Sequence, residues 1–328
     1  MTAIAIPSLD ADQVRGLLGP REAAAAIRQA LLSGLDPSTD PARGVVRVRG
    51  GQVLLMPSQT ATSVGVKIAT VAPGNPDQGL PRIQALYLLF DAETLQPRAL
   101  LDGTALTSVR TPAVSAAVVT SLAGRFAEPA NLVVFGAGPQ AVGHVAAFSE
   151  ISGLELHDVT FIVRRPERVD LEPMPRVPSI DVRATSDSAA RKALRRAHLV
   201  VCATTSRTPV FDSHDLRDGA VVVAVGSHEP QVRELDGRLM GRASVIVEDL
   251  ETARREAGDV LLAIAEGELE IDDLIPMGSV VRGDVVIDPG RTAVFKSTGM
   301  SWQDIVVAEA IMARHDPSHD ILRRHGSG

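Results

Sequence analysis

The chain has 328 residues, 45% hydrophobic and 22% charged, with a net charge of −7 at pH 7; that length suffices for two domains with a large core, and the acidic balance argues against nucleic-acid or anionic-membrane partners. The aromatic share of 3% offers no platform for stacking bases, and the single cysteine, Cys202 in the strand-like "LVVCATT", excludes an intrachain disulfide framework and fits a reducing compartment. No apolar run reaches the 18 residues of a membrane span, and "MTAIAIPSLD" lacks the basic start of a signal peptide, so the expected location is the cytoplasm.

In chain order, Asp10 and Gln13 have the spacing of a capping box and predict a short helix. "GPREAAAAIRQALLSG" predicts a second, with Pro20 in its first turn and Gly34 past its end. From 45 to 102 the text turns strand-like: "VVRVRG", "QVLLMP", "VGVKIATVAP", "ALYLLFD" and "PRALLDG" are β-rich runs separated by Gly, Pro, Asn and Asp, which suggests a hairpin-linked antiparallel or mixed sheet. "TALTSVRTPAVSAAVVTSLAG" (104–124) reads as a long helix of small residues leading out of that sheet. From 131 strand and helix alternate. "NLVVFG", "DVTFIV", "HLVVCAT", "AVVVAVG" and "ASVIVED" are continuous Val/Ile-rich runs, the pattern of parallel strands covered on both faces. "STGMSWQDIVVAEAIMARH" is an amphipathic helix expected to return to the first domain. The predicted architecture is α/β, a Rossmann-type doubly wound sheet (113–299) following an α+β domain (1–112, with 300–328 returning to it).

The chemistry begins at the first turn of the second domain. Gly136, Gly138 and Ala141, with Pro139 and Gln140 between them, form G-x-G-x-x-A between a strand and a helix. The first glycine allows the tight turn, the second lets backbone approach a pyrophosphate, and the alanine permits close helix–strand packing. The helix N-terminus then faces the phosphates. The next strand ends in "FIVRRPER", where Arg164 and Arg165 stand in place of the acid that binds an NAD ribose; this favours NADP(H), with NAD(H) as the alternative. Thr204 and Ser206 in "CATTSR" fall at the carboxyl end of a later strand, where ligands bind in open α/β sheets.

Lysine is rare here. Of 33 basic residues, Lys67, Lys192 and Lys296 are the lysines. Lys67 lies within an apolar strand, where a lysine is either directed to a site or snorkelling to the surface. No Cys/His cluster has metal-ligand spacing, since Pro317 breaks the helical face between His315 and His319; no metal is expected. Neither a G-x-S-x-G nucleophile turn nor a P-loop occurs.

"GVKIATVAPGNPDQGLPRIQALYLLFDAETLQPRALLDGTALTSVRTPAVSA" closely resembles the ornithine cyclodeaminase/μ-crystallin family, and "AVGSHEPQVREL" and "FKSTGMSWQDI" extend the match. The resemblance implies that the N-terminal domain carries the substrate site and a homodimer interface. It further implies a substrate-carboxylate clamp at Arg43, Lys67 and Arg110; charge-assisted donors of this kind suit a carboxylate. It places Gly226, Lys296, Ser297 and Gly299 near the cofactor. Two departures stand out. Leu54 replaces a glutamate two residues before the Met56–Pro57 pair, and His228 in "AVGSHEP" replaces the aspartate that the family carries after "AVGG". Both disfavour ornithine cyclisation and leave hydride chemistry in place. The implied activity is NAD(P)H-dependent reduction of a small cyclic ketimine carboxylate, with Leu54 and Met56 as an apolar wall and His228 or Lys67 supplying the proton. The alternatives are an amino-acid dehydrogenase such as alanine dehydrogenase, an ornithine cyclodeaminase, or a μ-crystallin-like NADPH-dependent ligand-binding protein. Asp304 and Trp302 read as packing or interface residues of the last helix.

Overall fold

The computed structural model describes residues 6–126, 128–170 and 177–315. The expectations placed on His319, and on the return segment beyond 315, lie outside the described residues. The elements run β1 (Ser8–Leu9), α1 (Ala11–Leu17), α2 (Pro20–Leu32), β2 (Gly44–Val48), β3 (Gly51–Gln59), β4 (Ser63–Val71), β5 (Ile83–Asp91), β6 (Pro97–Asp102) and α3 (Gly103–Ser121). They continue with β7 (Ala130–Phe135), α4 (Pro139–Ser149), β8 (Leu156–Val163), β9 (Ser179–Ala184), α5 (Ser188–Arg196), β10 (Leu199–Cys202), β11 (Val221–Ala224), α6 (Gly237–Arg242) and β12 (Ser244–Val247). The last are α7 (Leu250–Glu256), α8 (Gly258–Ala265), β13 (Ile275–Pro276), α9 (Met277–Arg282), β14 (Ala293–Lys296) and α10 (Ser301–His315). They group into two units, residues 1–30, 39–110 and 300–328 in the first, 31–38 and 111–299 in the second.

The first unit is built on the sheet β1-β6-β5-β4-β3-β2, antiparallel throughout except for the parallel pairing of β1 with β6. Local chemistry accounts for its start. Asp10 accepts hydrogen bonds from the backbone of Asp12 and Gln13, and the Gln13 side chain returns to the Asp10 N–H, so α1 opens with the capping box its spacing predicts. Gly34, just past α2, has φ +94, the left-handed conformation that glycine adopts without cost. Along β4 buried and partly exposed residues alternate from Ser63 to Ala69, the period-2 signature of a sheet with one covered face. Met56, Lys67 and Tyr87 are directly paired across β3, β4 and β5, so all three share one face. That face is the covered one, since all three are buried.

The second unit carries an all-parallel sheet in the order β13-β12-β14-β11-β10-β7-β8-β9. From β7 the chain steps outwards to β8 and β9, then returns to the other side for β10 and β11. The reversal between β7 and β10 is the topological switch point at which open α/β sheets bind their ligands. The α/β class and Rossmann-type winding match the sequence reading, but three strands were not foreseen. β9 is an edge strand with a polar alternation, β13 has two residues, and β14 has four. β14 inserts between β11 and β12, and all four of its residues are buried. Cys202 closes the buried β10, and burial pushes its thiol well above the ordinary range, the environment of a core residue.

Candidate active site

In the first unit, β4 and α3 deliver two cations to one buried carboxylate. Lys67 Nζ lies 2.7 Å from Asp304 Oδ2, and Arg110 Nε lies 3.2 Å from Asp304 Oδ1. Arg110 Nη1 donates to Gln303 Oε1 at 2.8 Å, and Lys67 Nζ is 3.4 Å from Thr107 Oγ1. Lys67 is 3% exposed, Arg110 6% and Asp304 0%. Burial pulls the Lys67 amine down to about 8; Asp304 opposes that pull, while Arg110 and Arg43 reinforce it. Arg43, immediately before β2 and half-buried, is thus a third positive charge felt at Lys67. The balance is unusual for an interior, with two buried cations sharing a single carboxylate. A buried excess of positive charge is costly unless an anion completes it.

Leu54 and Met56 lie on the same covered face of β3 and are buried, placing apolar surface beside Lys67. Asp40 joins this unit's polar interior. Its Oδ2 accepts the Trp302 N–H at 3.0 Å at the start of α10, and its Oδ1 accepts Ser58 Oγ–H at 2.6 Å. Burial pushes the Asp40 carboxyl up to about 6 despite these donors. The helix α10 is therefore capped by a residue far away in sequence.

In the second unit, the glycine turn has the form a dinucleotide needs. Gly136 has φ +102, and a Cβ there would meet the Ala203 carbonyl oxygen at 2.5 Å, so the turn after β7 packs directly on the strand end after β10. Gly138 is the extended N-cap of α4, with no atom within 4 Å of where a Cβ would stand. Pro139 occupies the first turn, where its missing N–H costs nothing, and Ala141 is fully buried. Gln140 Oε1 is buried without a hydrogen-bond partner among the described residues, an acceptor left for a ligand. Arg164 and Arg165 follow β8 and are exposed. These residues fit a nicotinamide dinucleotide.

Beneath the turn lies a second buried charge cluster, and it changes the part assigned to several residues. Lys296 was expected at the cofactor. It ends the interior strand β14 and is 1% exposed; its ammonium reaches Asp259 Oδ2 at 3.0 Å, the Ser227 carbonyl at 2.6 Å and Ser227 Oγ at 2.9 Å. Ser297 and Gly299 are likewise turned inwards. Ser297 Oγ donates to Glu248 Oε1 at 2.8 Å, and the Gly299 N–H donates to Glu248 Oε2 at 2.9 Å, so neither of these groups points to a ligand. Thr204 donates from N and Oγ1 to Glu234 Oε1 at 2.8 and 2.7 Å, and the Gly226 N–H donates to Glu234 Oε2 at 2.7 Å. Asp259 Oδ1 in turn accepts the N–H groups of Glu234 and Leu235. Burial raises Asp259, but Lys296 and these donors outweigh it and leave the carboxyl below its usual range; burial prevails at Glu234, which lies above it. Thr204 and Gly226 are thus strand-end residues held in place from behind. Ser206 Oγ donates to the Thr208 carbonyl at 2.7 Å, on the exposed side of the same loop.

His228 is half-buried in the loop after β11, two residues beyond Gly226. Lys67 and Arg110 are brought together with Asp304, whereas His228 belongs to the other unit. Sequence reasoning read Asp304 as a packing or interface residue and passed over Glu234, Asp259 and Glu248. A signal existed for the first: Asp304 stands on the stripe it shares with Ala308 and Ile311 on α10, and an acid on an apolar stripe opposite a buried strand lysine calls for pairing. Among the described residues no group of His, Cys, Asp and Glu could hold a metal ion, and no helix is long and apolar enough to cross a membrane.

Comparison with known proteins identifies the family and the fold. The ornithine cyclodeaminase/mu-crystallin family model matches residues 11–318. A Delta(1)-pyrroline-2-carboxylate/Delta(1)-piperideine-2-carboxylate reductase from Azospirillum brasilense is 31% identical over 328 residues, covering 96% of this chain and 99% of that protein. The ketimine reductase mu-crystallin of Rattus norvegicus is 33% identical over 278 residues, 83% of each chain. An archaeal alanine dehydrogenase dimer with bound NAD superposes with a TM-score of 0.83 at 27% identity, covering 94% of this chain and 95% of that one.

Proposed function

The chain belongs to the ornithine cyclodeaminase/mu-crystallin family, and from that premise we propose that it is an NAD(P)-dependent oxidoreductase that reduces a small cyclic ketimine carboxylate of the Δ1-pyrroline-2-carboxylate or Δ1-piperideine-2-carboxylate type. The observation that carries this reading is the pairing of two buried cations, Lys67 and Arg110, with one carboxylate in direct contact among the described residues, that of Asp304. A substrate carboxylate would add a second anion to the two cations, and Arg43 adds a further cation at the more open edge. Leu54, buried beside this position, offers apolar surface to a ring and no carboxylate to a second amine, which favours a cyclic imine over ornithine.

When bound, the dinucleotide supplies a hydride from the nicotinamide C4 to the imine carbon and is left as NAD(P)⁺. The C=N π pair moves to nitrogen, which takes one proton, with Lys67 and His228 as the candidate donors. The glycine turn at Gly136 and Gly138 and the N-terminus of α4 would hold the pyrophosphate, and Gln140 Oε1 would be free to accept a ligand hydroxyl. Exposed Arg164 and Arg165 favour the 2′-phosphate of NADP(H).

The homodimer belongs to the same reading. The open face of the first sheet is apolar: Leu55, Ile68 and Leu86 are paired in one row, and Val66 and Leu88 in the next. Leu55 and Leu86 are exposed, and a second copy would cover them.

The test is consumption of NADPH or NADH by the purified protein with each ketimine, with pyruvate plus ammonia alongside for the alanine dehydrogenase reading that the NAD-bound archaeal dimer favours. Turnover with a ketimine establishes the reductase. Turnover with pyruvate and ammonia alone moves the assignment to an amino-acid dehydrogenase, and dinucleotide binding with no turnover leaves a ligand-binding protein.

A further inference from the structure

Both proposed clamp cations are buried and paired with a protein carboxylate. The groups around Lys67 can be named element by element. Asp304 and Gln303 come from α10 and Arg110 and Thr107 from α3; Tyr87 of β5 and Met56 of β3 are the cross-strand neighbours of Lys67 on the covered face, and Arg43 precedes β2. Burial, then Asp304, Glu309 and Asp40, raise the Tyr87 hydroxyl well above its usual range, so it stays neutral and contributes no charge. Asp304 is therefore the acid in direct contact with Lys67, whereas Arg110 and Arg43 act against the ammonium.

We propose that Asp304 is a positioning residue of the substrate site: by bridging Lys67 Nζ and Arg110 Nε it holds Lys67 as an ammonium and fixes both cations for a substrate carboxylate. The inference rests on the reading of Lys67 and Arg110 as the carboxylate site, and it adds the residue on which their charge and alignment depend. The physics is direct. Burial pulls the Lys67 amine down to about 8, so loss of the carboxylate it touches tips it towards the uncharged amine. An uncharged amine donates weakly to a carboxylate and leaves Arg110 unpaired behind it. Arg110 also competes for Asp304, so the two cations report on the same carboxylate with opposite signs.

The chain has three lysines, so protein labelled with ¹³C at the lysine ε-carbon gives three signals, of which Lys67→Arg identifies one. In Asp304→Asn, which keeps the shape and removes the charge, the Lys67 midpoint is expected to fall by about one pH unit or more. In Arg110→Gln it is expected to rise. In parallel, the increase of KM with pH in the wild-type enzyme should move to lower pH in Asp304→Asn and return towards its original position in Asp304→Glu, which restores the charge. A residue that merely packs α10 would change stability without moving the Lys67 midpoint. The titration needs no substrate and so remains informative even where no ketimine is turned over. A midpoint unmoved in folded Asp304→Asn overturns the proposal. Should that variant fail to fold, a midpoint that stays or falls in Arg110→Gln overturns it equally.

Discussion

The two units each bury a lysine against an aspartate, and the two pairs differ in what surrounds them. At Asp304 two cations share one carboxylate, and apart from Gln303 and Thr107 the contacts are charge on charge. At Asp259 one lysine meets a carboxylate that also accepts from Ser227 and from two backbone N–H groups, with the neighbouring Glu234 saturated by Thr204 and Gly226. Among the described residues the first cluster sets two cations against one contacting carboxylate, whereas in the second the carboxylates also accept from hydroxyl and backbone donors. Burial and charge alone do not distinguish a binding site from a structural knot; the balance of donors and acceptors does. That balance surrounds the Lys296 ammonium with protein partners and supports the proposal of Lys67 for the substrate carboxylate.

The difference can be broken most sharply by truncation at the clamp. Arg110→Ala is expected to lower kcat/KM for a ketimine by about two to three orders of magnitude, mainly through KM, as removing one partner of a buried charge pair does; initial rates of NADPH oxidation check it. Next comes stability. Lys296→Met should cost about 3–5 kcal/mol of unfolding free energy, because Asp259 keeps its charge in the interior without its cation. Lys67→Met should cost clearly less, because Asp304 retains Arg110. Denaturant titration of both variants decides, and an equal loss would dissolve the distinction between the clusters.

Acid separates the units further. His144 on α4 is fully buried, with Nδ1 against the Gln140 carbonyl at 2.7 Å and Nε2 accepting from Ser115 Oγ at 2.9 Å. Burial pulls it down to about 4 from its ordinary 6.5. A base whose folded pKa is depressed takes up its proton first in the unfolded chain, so stability is present above pH 6.5 and falls as pH drops towards 4. The contribution at stake is about 3 kcal/mol. In His144→Gln the slope of unfolding free energy over that window should flatten. The smallest effect expected is at Glu234. Glu234→Gln keeps the shape but turns an N–H₂ towards Thr204 or Gly226, and it should weaken dinucleotide binding by about tenfold, a loss near that of one hydrogen bond to a charged group. Fluorescence titration with NADPH measures this without any substrate.

What could be read in advance divides along the same line. The capping box at Asp10, the stop at Gly34 and the turn at Gly136 were legible because each is decided by residues within a few positions. Lys67 was legible as an anomaly, a charge in an apolar strand. Its partner, 237 positions away, was read only as a packing or interface residue, because the apolar stripe of α10 marks Asp304 as facing inwards without naming the lysine it meets. β14 escaped for a related reason. Its four residues end in Lys296, which reads as a polar terminus until Asp259 is known to lie behind it. Long-range charge pairing, rather than propensity, decided both.

The order of synthesis gives the insertion of β14 another meaning. β14 is made after β12 yet lies between β11 and β12, and α10, which carries Asp304, follows it directly. On the ribosome, therefore, the second sheet has a gap and Lys67 has no acid to meet until residues 293–315 emerge. Both units are completed by the same short stretch, so a stop codon anywhere before it would release a chain in which neither is finished, and quality control would meet one class of defective product in place of a stable half.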